Sequence, residues 1–255
     1  MTDIHHGSDS EYVRGTVALP LLKKVLEEIE AQKPALLVDL GDRVNDSDPA
    51  TARVALAEVA ALFGQVQVPK VHLLGNDDVN ARPEQETVLG VPLGNRSLEV
   101  EGWQLVFLDT FDGSVGGELT AQTLGWLERI LASNDLPAIV FSHQPLDGRP
   151  LPDNPFFGGV YQYQARPRGH EKARAIMEGS KKVVLAISGH AHWNHRITVG
   201  GVHYLTLAAL VPYTQGEDEG GSYGLLTLDD DSLRLEVYRC NSRQRPSRVV
   251  IERRR

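Results

Sequence analysis

The sequence predicts a mixed α/β fold, parallel in its first half and antiparallel in its second, and three observations carry that expectation. Short apolar runs alternate with amphipathic stretches from residue 19 to residue 141, the rhythm of strand–helix–strand crossings with parallel pairing. From 196 to 238 apolar residues alternate singly between turns at 200–201 and 229–231, as antiparallel hairpins require. Several apolar runs end in Asp, Asn or His, where an open α/β sheet gathers its ligands.

The stretch PALLVDLGDRVND, 34–46, anchors the reading. Residues 35–38 form a buried strand that delivers Asp42 at its carboxyl end, through Asp39-Leu40-Gly41. Before it, a surface helix over 19–32 sets Leu22, Val25, Leu26 and Ile29 on one face, with Pro20 in its first turn. After it, Ser47-Asp48-Pro49 caps a helix over 50–63 that Gly64 closes. A strand over 70–74 ends in Gly75-Asn76-Asp77-Asp78, one over 103–108 at Asp109, and one over 138–141 in Ser142-His143, with a helix at 120–132 between the last two.

The segment 145–169 breaks this pattern with Pro, Gly and aromatic residues, and a loop this long inside a domain is usually functional. Its Phe156, Phe157, Tyr161 and Tyr163 read equally as a lid or substrate wall and as anchors of the loop to the core. A helix over 170–178 then leads to a strand over 182–187, which ends in Ser188-Gly189-His190-Ala191-His192. Strands follow at 196–199, 202–207, 223–228 and 233–238, and the basic 243–255 reads as a flexible, solvated tail. At the other end, MTDIHHG puts Asp3 and His5 beside the first residue, too close to it for a full strand, so the first strand reads as truncated.

Composition sets the outer bounds. A chain of 255 residues, 41% of them hydrophobic, buries a full core and reads as a single domain, 1–255. Its net charge of −8 argues against a general nucleic-acid binder. The single Cys240 excludes an internal disulfide and a cysteine-rich zinc site, and suits a reducing compartment. Without an apolar run of membrane-spanning length or a visible signal peptide, the expected location is the cytoplasm and no membrane partner is expected.

The strand-end residues Asp3, His5, Asp42, Asn76, His143, His190 and His192 form a mixed nitrogen and oxygen donor set. Such a set suits Mn²⁺, Fe²⁺ or Zn²⁺ rather than Ca²⁺. Too many for one ion, these donors point to two divalent metals sharing Asp42. Two such ions carry more positive charge than Asp3 and Asp42 offset, and the excess attracts a phosphate. His72 and His203, inside strands, read as core or surface histidines, His6 and His195 as spectators, and Asp109 and Asp112 as turn groups or as supports behind the ligands.

The order Asp3-x-His5, Gly41-Asp42, Gly75-Asn76, His143, Gly189-His190-x-His192 resembles the calcineurin-like metallophosphoesterase superfamily, over about three quarters of the chain. That resemblance implies a four-layer α/β/β/α sandwich of two mixed sheets. It implies one metal on Asp3, His5, Asp42 and His192 and another on Asp42, Asn76, His143 and His190. It further implies hydrolysis of a small phosphodiester or phosphomonoester by a metal-bridging hydroxide. Asn76 and Asn45 are the expected substrate contacts; Asn45 is also, with Asp77, a candidate catalytic residue able to hydrogen-bond to phosphate or to Asp77, and it tilts the resemblance towards the cyclic-nucleotide phosphodiesterases. Acidic charge makes a nuclease the least attractive variant.

One departure matters. Where the family usually has His after Gly-Asn, thought to protonate the leaving group, this chain has Asp77. A carboxylate beside cations is a poor proton donor and repels phosphate, so Asp77 implies slow turnover, a leaving group needing no proton, or an additional metal ligand. The expectation is an impaired enzyme. The competing class is a non-catalytic metal-binding or regulatory protein that retains the fold, and a third reading is a one-metal hydrolase lacking Asp3 and His5. Specificity is expected to reside in 145–169 and 216–221.

Overall fold

The computed structural model describes residues 1–45, 48–78, 82–111, 116–152, 154–159, 161–214, 220–229, 232–240 and 247–252. Helix α1 (Ala18–Ala31) precedes β1 (Leu37–Asp39), and α2 (Pro49–Gln65) precedes β2 (Lys70–His72). Then come α3 (Arg82–Leu89), β3 (Arg96–Val100), β4 (Trp103–Leu108), α4 (Ala121–Ala132), β5 (Ala138–Ser142), α5 (His170–Ser180) and β6 (Val183–Ser188). Strands β7 (His195–Val199), β8 (Val202–Thr206), β9 (Ser222–Leu228), β10 (Ser232–Arg239) and β11 (Ser247–Glu252) complete the chain.

Local chemistry explains the helices. In α1 the buried Leu22, Val25, Leu26 and Ile29 recur at helical spacing. In α2 the Asp48 carboxylate accepts the amides of Ala50 at 3.0 Å and Thr51 at 3.2 Å, with Pro49 in the first turn. Gly64 does not end α2, because its backbone stays helical. Helix α3 and strand β3 went unread in the sequence: α3 buries only Gln85 and β3 buries no residue fully, so neither carries an apolar pattern.

Alternation in the central strands sets the layers. Leu105, Phe107, Ile139, Phe141, Leu185 and Ile187 face one core, while Val106, Leu108, Val140 and Ala186 face another. The first core meets Leu233, Leu235 and Val237 of β10 and Val71 of β2, and the second meets Leu127 and Leu131 of α4 with Ala173 and Met177 of α5. A third core packs α1 and α2 against Ile4, Leu37, Leu210 and Tyr223. The order of layers is therefore helices, strands, strands, helices.

The larger sheet runs β3-β4-β5-β6-β8-β7. Pairing is antiparallel at both edges and parallel from β4 through β8. Two expectations need correction here. The second half is not wholly antiparallel, because β8 passes β7 to lie parallel beside β6. The opposite layer is not one continuous mixed sheet but a parallel pair, β1-β2, and an antiparallel set, β11-β10-β9.

Irregular extended chain joins those two parts. Leu40 N–H donates to Met1 O at 3.0 Å, Asp3 N–H to Gly41 O at 3.0 Å, and Leu210 N–H to Thr2 O at 3.0 Å. The first residues thus take a strand's place beside β1. Asp3 and His5 are consequently buried, which removes the ground for a one-metal reading based on their disorder. The tail is a further correction: 247–252 is strand, paired antiparallel with β10, because the apolar Val249-Val250-Ile251 interrupts the basic run and Ile251 is buried. Asp46, Asp112, most of 216–221 and the rest of the tail lie outside the described residues. Asp42, Asn76, His143 and His190 all lie just beyond the carboxyl ends of β1, β2, β5 and β6.

Candidate metal centre

Backbone geometry sets the candidate ligands apart. Asp3, His5, Asp42, His190 and His192 have φ of 54°, 45°, 56°, 64° and 53°, in the left-handed region that L-residues seldom occupy. Such conformations cost free energy and persist where surrounding structure fixes them. The glycines preceding three ligands have a steric reason. A Cβ at Gly41 would overlap the backbone of Gly75, one at Gly75 would overlap the Asp42 side chain, and one at Gly189 would overlap Thr2. The Gly-Asp, Gly-Asn and Gly-His pairs are places where ligand loops touch.

Three sets of side chains have ligand atoms within 4.8 Å of one another: Asp3, His5 and His192; Asp42, His143 and His190; and His5, Asp42 and Asp77. In the first, His192 Nε2 lies 3.2 Å from Asp3 Oδ1 and 3.0 Å from His5 Nε2. In the second, His143 Nε2 lies 3.2 Å from Asp42 Oδ2 and 3.2 Å from Asn76 Oδ1. Asp42 Oδ2 is also 3.8 Å from His5 Nε2, so this carboxylate stands between the sets.

Outer contacts hold the rings and leave the second nitrogen of each towards the other candidate ligands. His143 Nδ1 is 3.0 Å from Leu40 O, and His190 Nε2 is 3.0 Å from Gln164 O, so each ring has one nitrogen committed to a carbonyl. Asp3 Oδ2 accepts from Thr2 Oγ1 at 2.6 Å and from the His190 amide at 3.0 Å. Its Oδ1 is buried without a hydrogen-bond partner, as is His192 Nδ1. Two imidazole nitrogens lie 3.0 Å apart, and one of them is 3.2 Å from Asp3 Oδ1, so three ligand-type atoms crowd one point. That donor set fits cations.

The charges lean the same way. For His143, burial favours the neutral ring but the Asp42 carboxylate outweighs it and holds the pKa at about 9. Burial, with the neighbouring His143, pushes His190 down to about 3. Burial penalises the Asp3 charge, yet His192 and His5 hold its carboxyl well below the usual range.

Asp77 sits within this centre. Its Oδ2 is 3.2 Å from His5 Nδ1, its Oδ1 accepts from Asn76 Nδ2 at 2.6 Å, and its amide donates to Asp42 Oδ1 at 2.9 Å. Asn45 lines the same cavity, of about 370 Å³, but its amide nitrogen donates to Ser8 O at 2.6 Å rather than facing Asp77. Phe156 and Phe157 wall the cavity, their rings 4.8 Å from His192 and 4.7 Å from His190. Tyr161 and Tyr163 are exposed. His6 pairs with Glu58 at 2.7 Å, His195 stacks on Trp193, His203 meets Thr198 at 2.7 Å and His72 meets Asp39 at 2.9 Å. Asp109 accepts from Arg82 at 2.5 Å and from the Phe111 amide, and belongs to none of the three sets.

Sequence reading missed the buried network beneath the centre. Asp78 Oδ2 accepts the amides of Asp42 at 2.8 Å and Gly75 at 3.1 Å, and Arg43 Nη1 at 2.7 Å. Arg43 Nε lies 2.7 Å from Asp39, and its Nη2 donates to Leu73 O. Asp39 ends strand β1 and Arg43 lies in the loop beyond it, so no helical spacing pairs them in the sequence, and charged residues ordinarily read as solvated.

Carboxylates, imidazoles and an amide gathered at strand ends form a donor set suited to divalent metal ions. The chain belongs to the calcineurin-like phosphoesterase family, whose profile matches residues 1–194. It is accordingly a phosphoric ester hydrolase of mixed α/β fold. It is 25% identical over 249 residues to a probable cyclic nucleotide phosphodiesterase of Synechococcus sp., covering 93% of this chain and 90% of that one. It is 25% identical over 212 residues to a 3',5'-cyclic-nucleotide phosphodiesterase of Nostoc sp., covering 80% and 74%. Among solved structures, a dimetal phosphatase from Danio rerio has a TM-score of 0.78 at 17% identity, covering 99% of this chain and 97% of that one, a likeness of fold alone.

Proposed function

We propose that this chain hydrolyses a small phosphodiester, a 3',5'-cyclic nucleotide, at two divalent ions. Asp3, His5, Asp42 and His192 hold one ion, and Asp42, Asn76, His143 and His190 the other. The observation that carries this reading is the convergence of ligand atoms into sets within 4.8 Å, with Asp42 between them. The relatives named as cyclic nucleotide phosphodiesterases supply the substrate class. The mixed donors favour Mn²⁺, Fe²⁺ or Zn²⁺. When bound, such ions supply an activated water and stabilise negative charge on the phosphoryl oxygens.

The chain's own residues do the rest. The outer bonds of His143 and His190 to Leu40 O and Gln164 O fix the rings before any ion arrives. Phe156 and Phe157 keep bulk water from the rings of His192 and His190. Asn45, by holding Ser8 O, positions the 8–10 wall of the cavity. Asp77 does not serve as the acid: its carboxylate lies with the His5 imidazole and the Asp42 carboxylate as a further ligand. The leaving oxygen therefore takes its proton from solvent, and turnover of alkyl esters is slow.

Stripping metal and then adding Mn²⁺ tests the whole reading. Two ions per chain and restored hydrolysis of a 3',5'-cyclic nucleotide are expected. Bound metal without turnover of any phosphate ester would overturn it in favour of the non-catalytic reading. The role of Asp77 has its own measurement. Asp77→His restores a general acid, so kcat on a cyclic nucleotide should rise by about 10²-fold, the lower end of what general acid catalysis contributes. No gain in kcat would remove the account of impairment.

A further inference from the structure

The two oxygens of Asp3 are used differently. Oδ2 accepts from Thr2 Oγ1 at 2.6 Å and from the His190 amide at 3.0 Å. Oδ1 is buried without a hydrogen-bond partner, 3.2 Å from His192 Nε2 and 3.7 Å from His5 Nε2. One oxygen is thus supplied with donors, and the other is left beside two imidazoles. A carboxylate divided in this way offers a cation one oxygen rather than two.

Thr2 holds no ion itself, yet its surroundings are arranged for its hydroxyl. The residue is fully buried, and its contact with Asp3 has the short length of a hydrogen bond to a charged acceptor. The backbone here is tied down without it: Leu210 N–H donates to Thr2 O at 3.0 Å, and Asp3 N–H to Gly41 O at 3.0 Å. The hydroxyl is therefore not what keeps the chain in place. Gly189 bears on the same pair from the other side. Its φ lies outside the left-handed region, so its backbone conformation does not call for glycine. A Cβ at Gly189 would overlap Thr2 Oγ1 and come within 2.6 Å of Asp3 Oδ2. Glycine at 189 keeps room for this hydroxyl and carboxylate oxygen.

We infer that Thr2 is a positioning residue for the first ion: its hydroxyl turns the Asp3 carboxylate so that Oδ1 alone is presented to the metal. The inference rests on the two-ion reading for what Asp3 binds, and on no substrate or turnover. Without the hydroxyl, Oδ2 keeps only the His190 amide. A carboxylate held at one point can turn about its Cβ–Cγ bond and offer either oxygen. Outer partners of this kind orient a ligand, and their loss commonly costs about 10- to 100-fold in metal affinity.

Calorimetric titration of the metal-stripped full chain with Mn²⁺ tests it in two variants. Thr2→Val keeps the branched shape and removes the hydroxyl, whereas Thr2→Ser keeps the hydroxyl. In Thr2→Val one of the two ions should bind about 10- to 100-fold more weakly, and the other much as in the parent. Thr2→Ser should restore the parental affinity. Where hydrolysis is followed, the Mn²⁺ concentration that gives half the maximal rate should rise by the same factor in Thr2→Val, and excess Mn²⁺ should recover activity, as it cannot for a misfolded chain.

Parental affinity for both ions in Thr2→Val would overturn the positioning role, and so would equal weakening in Thr2→Ser, which would make shape rather than the hydroxyl responsible. Fewer than two ions on the parent would overturn it as well. Thermal melting of the stripped protein shows whether Thr2→Val is folded, and Thr2→Ala, which removes the same hydroxyl without a methyl in its place, decides the matter if it is not. Weakened Mn²⁺ binding in Thr2→Val, without hydrolysis of any phosphate ester by the parent, keeps the positioning role and removes the phosphodiesterase reading. Hydrolysis with the same Mn²⁺ requirement in parent and Thr2→Val does the reverse.

Discussion

Asp42→Asn should lower kcat/KM by about 10³-fold while leaving the protein folded. The substitution keeps the shape of a side chain whose Oδ1 accepts the Asp77 amide at 2.9 Å, so the loop that carries Asp77 stays anchored. What changes is Oδ2, the atom 3.2 Å from His143 Nε2 and 3.8 Å from His5 Nε2. An amide in its place removes the one negative charge that both ligand sets approach, or turns a donor N–H towards an imidazole. Metal catalysis of phosphoryl transfer is worth several kcal/mol, and about 4 kcal/mol is about 10³-fold in rate. Elemental analysis of the same variant should show fewer than two ions per chain, with melting near that of the parent. Retention of both ions and full activity would mean that Asp42 does not link the two sets.

Most of the strands, and the placement of most candidate ligands just past them, were legible because apolar runs and strand-end polar residues coincide in this chain. Strand β4 shows its full span in the sequence because apolar side chains fill both of its faces, Leu105 and Phe107 on one and Val106 and Leu108 on the other. His143 and His190 were legible from position alone, each just past a strand of that kind. Where burial is polar, the signal fails. Helix α3 turns Gln85 inward to hydrogen-bond Asp78 and Arg43, and no hydrophobic period can report that. The order of strands in the opposite layer was equally hidden, because its continuity depends on single backbone bonds such as Leu210 N–H to Thr2 O. Asp77 was legible as a departure, but its distance to His5 and its grip on Asn76 are properties of the fold.

Arg43→Met should cost about 3–5 kcal/mol of folding free energy, read from urea unfolding at neutral pH, because it breaks a buried ion network by removing one partner. Asp39 and Asp78 are both 0% exposed, and Arg43 lies 2.7 Å from each. Methionine fills much of the volume but leaves two buried carboxylates without their cation. The pH dependence distinguishes this cause from lost packing. In the parent, burial favours the protonated form of Asp39, but Arg43 and His72 outweigh it and hold the carboxyl below its ordinary value. Its stabilising contribution is therefore present above the unfolded pKa of about 4 and is lost as pH falls through the lower, folded value. In the variant burial acts with much less opposition, Asp39 is pushed up instead, and acidification towards pH 5 should narrow the gap between the two proteins. Adding Asp39→Asn to Arg43→Met should recover part of the loss for the same reason. A gap that stays constant across that range would assign the loss to shape alone, and would leave the hold of Asp78 on the amides of Asp42 and Gly75 independent of the arginine.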